Sequence, residues 1–106
     1  MDSKYNHIIR ILRTFEKSLD DKHEIGLSIP LCCEASPLVV VRGYGNDFIL
    51  FELVGEDENT FAVVQNYSQL KFSVVSLPKQ KKDESSKRIG FRTEFFPEEE
   101  CPSEKQ

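Results

Sequence analysis

No run of apolar residues here approaches the ~20 that a bilayer-spanning helix needs; the longest, 37–41 and 48–51, fall far short. The amino terminus, Met-Asp-Ser-Lys-Tyr, lacks the apolar core and small-residue cleavage site of a secretory leader, which predicts a cytoplasmic protein. Cysteine is scarce: Cys32 and Cys33 are adjacent and Cys101 lies alone near the end, so there is no evenly spaced disulfide framework and reduced thiols are expected. A surplus of positive charge is also lacking. The net charge of -4 argues against sequence-independent binding to DNA, although a few converging cations could still hold a small anion.

Enzyme signatures are equally scarce. The chain has no G-x-S-x-G elbow, no phosphate-binding P-loop and no H-E-x-x-H pair. Gly43 and Gly45 do not extend to a dinucleotide fingerprint, because position 48 is Phe and the residues after it read as a strand. His7 and His23 lack the spacing of a metal site and read as surface residues. Cys32-Cys33 is not a C-x-x-C redox pair and reads as two buried small apolar residues. Glu56-Asp57-Glu58 lacks the ligand periodicity of a calcium loop and reads as a solvated turn. Neither a catalytic centre, a metal nor a cofactor is expected.

What is present is the composition of an ordinary globular domain, 39% hydrophobic and 30% charged over 106 residues. That length carries one core, so residues 1–96 are predicted to form a single domain and the acidic segment 97–106 a disordered tail. Tyr5, Ile8, Ile9, Leu12, Phe15 and Leu19 follow helical spacing and predict an amphipathic helix capped by Asp2 or Ser3. The period then drops to two. Extended runs are predicted at 24–29, 37–42, 48–54, 60–65, 70–77 and 88–95, with turns at 43–47, 55–59 and 66–69 and a charged, mobile loop at 79–87.

One helix followed by five or six strands predicts an α+β fold with the helix across an antiparallel sheet. Parallel pairing is not expected, because the turns are shorter than a parallel crossover needs. Strands such as 48–51 are apolar on both faces, so the sheet face away from the helix should be covered, most simply by a second copy of the chain.

The segment Arg88-Ile89-Gly90-Phe91-Arg92 is the most suggestive. As a strand it would place Arg88, Gly90 and Arg92 on one face, with the two arginine Cα atoms about 13 Å apart. Their guanidinium groups could then converge on a phosphate lying over Gly90. The same residues also fit an exposed strand kept soluble by its charges. Phe61, Tyr44 and Tyr67 are candidate stacking surfaces, and Asn66 could read a base edge or cap a turn.

The helix end Phe15-Glu16-Lys17-Ser18-Leu19-Asp20-Asp21, the stretch Tyr67-Ser68-Gln69-Leu70 before a strand closing in Pro78-Lys79, and Arg88-Ile89-Gly90-Phe91 together resemble the Thoeris anti-defence family of phage proteins. The resemblance implies a non-enzymatic, cytoplasmic homo-oligomer that sequesters a cyclic ADP-ribose-type signalling nucleotide at a subunit interface. It further implies that Arg88 and Arg92 hold phosphate beside Gly90 and that Phe61 stacks on the base, with Asn66 nearby. Two other readings stand beside it. One is a module that docks on a host enzyme or receptor without binding nucleotide. The other is a small hydrolase or lyase using His7 or His23 with the arginines, which lacks an evident nucleophile.

Overall fold

A computed structural model describes residues 3–79 and 90–97. Helix α1, Lys4–Lys17, begins where Ser3 accepts a hydrogen bond from the Asn6 amide at 3.1 Å, so Ser3 is its cap. Six strands follow: β1 His23–Ile29, β2 Cys33–Tyr44, β3 Phe48–Val54, β4 Thr60–Asn66, β5 Ser73–Pro78 and β6 Arg92–Phe96. They form one sheet in the order β4-β3-β2-β1-β5, with β6 paired to β2. The α+β class and the packing of one helix on this sheet agree with the sequence reading.

β2 organises the sheet because it changes partners along its length. Its first residues pair with β1, through Gly26 opposite Pro37, and its second half pairs with β3 from Leu38 to Tyr44. Pro37 sits at that handover, a place where a missing ladder donor costs least. The apolar run of the sequence marks only the second half of β2, and the strand begins at Cys33.

The pairing of β6 with β2 is parallel, with Val40 opposite Arg92 and Tyr44 opposite Phe96, which corrects the expectation of a purely antiparallel sheet. Short turns do exclude parallel pairing between consecutive strands. β6, however, returns to β2 after β3, β4 and β5 have intervened, a connection amply long for a crossover.

Two further corrections concern where strands start. Residues 70–72 are not extended ladder: Tyr67–Gln69 form a 3-10 turn, and Phe72 then packs edge-on against Phe51 with ring centroids 5.3 Å apart. The alternation expected across 88–92 is also interrupted, because Gly90 adopts φ 102 and β6 begins only at Arg92.

The core lies between α1 and the sheet. Tyr5 and Leu12 from the helix meet Ile25, Leu27, Val41 and Phe51 among others. The helix packs tightly on the sheet at Gly43, where an added Cβ would run into the Tyr5 ring and lie 2.9 Å from the Phe95 ring. The Tyr5 hydroxyl donates to the Val41 carbonyl at 3.4 Å. Among the described residues no helix is long and apolar enough to cross a membrane.

Candidate functional site

Strand registry sorts the candidate residues into two groups, since residues directly opposite one another share a sheet face. Phe61 lies opposite Leu53 on the helix side, where it is half-buried against the core. Asn66 lies opposite Phe48 on the other, open face. Its Oδ1 accepts from the Ser68 amide at 2.8 Å and from the Ser68 hydroxyl at 2.6 Å, so its carboxamide oxygen is engaged in capping the 3-10 turn. Arg92 is opposite Val40 and exposed. Arg88 lies outside the described residues, as do the predicted tail from 98 onward and most of the predicted loop.

Gly90 is on neither face of the ladder. Its open side meets the Glu16 carboxylate, whose oxygens would clash with a Cβ built there. Phe91 follows as a fully buried anchor, with the Arg13 guanidinium 4.0 Å over its ring while Arg13 pairs with Glu16 at 3.3 Å. Gly90 and Phe91 therefore fasten the entry of β6 to the end of α1. The space over Gly90 holds a carboxylate, which repels a phosphate.

The neighbouring cleft has the same character. It encloses about 280 Å³ and is lined by Glu16, Asp20, Asp21, Glu24, His23 and Lys79 among others. The His23 imidazole lies 2.7 Å from Asp20, and that hydrogen bond together with one from the Lys22 amide holds the Asp20 carboxyl below the usual carboxylate range. Carboxylates dominate this wall. Among the described residues no cluster of three or more His, Cys, Asp or Glu is arranged to hold a metal ion.

The open sheet face is the second feature. Its cross-strand rows run Phe96–Tyr44–Phe48–Asn66, Glu94–Arg42–Leu50–Val64 and Arg92–Val40–Glu52–Ala62, with Val40 fully buried among its neighbours. At the centre the Arg42 Nε donates to Glu94 at 2.7 Å and its Nη1 to Glu52 at 3.3 Å. The hydrogen bond to Glu94 raises the Arg42 pKa further above its ordinary value. Around this ion triad stand apolar groups: the Tyr44 and Phe96 rings are stacked at 5.3 Å, Phe48 is 44% exposed and Val64 56% exposed. Arg92 has no hydrogen bond or ion pair among the described residues.

Sequence reasoning missed Arg42, Glu52 and Glu94. The available signal was a single charge set inside each of two apolar strands, 37–44 and 48–54, which on pairing must meet or be buried alone. The cysteine expectation needs correction too: Cys32 is exposed at the β1–β2 turn and Cys33 is half-buried, because the turn puts both at the rim of the sheet and not in its core. Burial and a hydrogen bond with Cys32 raise the Cys33 thiol pKa. Comparison with models of known protein families, with curated proteins and with solved structures gives no match for this chain.

Proposed function

We propose that this chain is a non-catalytic binding protein that docks on another protein through its open sheet face. The observation that supports this reading most is the make-up of that face: exposed Phe48 and Val64 and the stacked Tyr44–Phe96 pair surround the internally neutralised Arg42. Neighbouring exposed apolar side chains are a general mark of a docking site. The cleft described above includes none of these residues, and the face suits a macromolecule better than a small ligand, which needs concave walls. The partner surface this face fits carries apolar groups around a polar centre, with a carboxylate placed to meet Arg92.

Affinity capture on immobilised protein tests it. A stoichiometric protein retained by the wild-type chain should be lost with Phe48→Asp and with Arg92→Glu. It should still be retained with Ile11→Asp, which alters the exposed outer side of α1. Capture indifferent to the two face substitutions overturns the reading.

A second reading, sequestration of a cyclic ADP-ribose-type nucleotide, is favoured by one observation. Arg92, without a hydrogen bond or ion pair among the described residues, shares its face with the stacked Tyr44–Phe96 rings, which gives a phosphate-binding fork and aromatic surface together. On this reading a second copy of the chain supplies the missing wall, and the nucleotide is held in the host cytoplasm and released chemically unchanged. Calorimetric titration with cyclic nucleotide signals separates the two. Heat that saturates with wild type and disappears with Arg92→Ala supports sequestration, whereas no heat with any nucleotide removes it.

A further inference from the structure

β4 forms one end of the strand order, so one of its edges faces no other strand among the described residues. Natural edge strands are blunted by charge, proline, glycine or a bulge, because free backbone groups invite pairing. β4 has none of these. Its sequence, Thr60–Asn66, is TFAVVQN, and it pairs with β3 through seven consecutive residues without a register shift. The contrast with the rest of the sheet is internal: β1–β2 and β2–β3 both carry irregularities, β5 ends on Pro78 and β6 carries Arg92 and Glu94.

The direction of the unused groups follows from the ladder. The Tyr67 amide donates to the Asp47 carbonyl at 2.9 Å, which extends the β3–β4 registry by one residue. Antiparallel pairs alternate between hydrogen-bonded and non-hydrogen-bonded, so Gln65, Val63 and Phe61 also direct their N–H and C=O toward β3. Thr60, Ala62, Val64 and Asn66 direct theirs outward.

We infer that this edge pairs antiparallel with the same edge of a second copy of the chain, with Val63 on the two-fold axis. That register sets Ala62 opposite Val64 of the second copy and Thr60 opposite its Asn66, so every outward group of one strand meets an outward group of the other. The strand is self-complementary in side chains as well. Like charges directly opposite would oppose a two-fold, and here there are none. Val64, 56% exposed in the single chain, gains the Ala62 methyl of its mate, and the two Val63 side chains meet across the axis on the helix side. The open faces of the two copies then join into one longer face, which extends the docking surface without covering it.

Sedimentation velocity on the full chain over roughly 1–200 µM reads the outcome directly. The expected species has twice the 12.2 kDa chain mass, dissociating on dilution. Ala62→Pro removes an outward donor and Val64→Lys sets like charges beside the axis; each should yield a monomer with unchanged circular dichroism. Val64→Glu should also be monomeric alone, and an equimolar mixture with Val64→Lys should recover the double mass. A wild-type chain that stays monomeric throughout overturns the inference. So does a dimer that survives both Ala62→Pro and Val64→Lys. If Ala62→Pro unfolds, the Lys/Glu pair decides: failure to re-associate while both variants are folded also overturns it. Val64 borders both surfaces, but self-association is read on the purified chain alone, and the docking-face substitutions Phe48→Asp and Arg92→Glu leave the β4 edge untouched.

Discussion

Leu31 occupies the turn between β1 and β2 with φ 62, a left-handed backbone, and its side chain is fully exposed at 109% of the reference area. The turn is closed by the Cys32 amide donating to the Ile29 carbonyl at 3.1 Å, with Pro30 and Leu31 between them. For a residue with a Cβ the left-handed region costs roughly 1–2 kcal/mol. No packing offsets that cost here, because the side chain touches mostly solvent. Leu31→Gly removes the strain but adds about 0.5–1 kcal/mol of unfolded-state freedom, which leaves a net gain of about 0.5–1 kcal/mol. In a domain of this size that corresponds to a rise of roughly 2–8 °C in Tm. Leu31→Asn should gain a similar amount, since Asn tolerates the left-handed region. Leu31→Ala should change little, and Leu31→Val should lose stability through its branched Cβ. Urea denaturation of the four variants gives the order. The reasoning is refuted if Leu31→Gly is destabilising, or if Leu31→Ala gains as much as Leu31→Gly.

Gly43→Ala drives a methyl into the Tyr5 and Phe95 rings and should cost about 1–3 kcal/mol, read as a lower urea midpoint at unchanged slope. Tyr67 has a buried hydroxyl without a hydrogen-bond partner among the described residues, so Tyr67→Phe should stabilise the chain by about 1 kcal/mol in the same assay. Burial pushes the Tyr67 pKa from 10.0 up to about 12. The folded state therefore keeps its proton where the unfolded state has lost it. This contribution is fully present below pH 10 and is lost as pH rises from 10 to 12, and that loss should be smaller in Tyr67→Phe. Arg42→Met leaves Glu52 and Glu94 facing each other and should cost about 1 kcal/mol at neutral pH, a deficit that shrinks in strong acid as the carboxylates protonate.

The helix and the middle strands were legible because their signals are local. Six apolar residues at helical spacing marked α1, and β3 was read with its observed bounds, since turn residues flank it on both sides. The partner change within β2 was not legible, because periodicity describes a strand's faces and carries nothing about which neighbour takes each edge. The β2–β6 pairing was missed for the same reason: it joins residues 52 apart, as the Arg42–Glu94 hydrogen bond does. For the candidate site, alternation placed Arg92 on an exposed face but failed at Gly90, where a positive φ breaks the two-residue period. The Glu16 carboxylate that fills the space there lies 74 positions earlier in the chain, beyond the reach of any local pattern.

The parallel seat of β6 beside β2 also sets an order of events during biosynthesis. β2 is synthesised early, yet one edge of its second half waits for β6, the final element described, to leave the ribosome. Until then the nascent sheet shows a bare central edge, and Arg42 has Glu52 but not Glu94 as its counter-ion. Chaperone engagement should accordingly be strongest on chains stalled after β5 and should fall once Arg92–Phe96 has emerged.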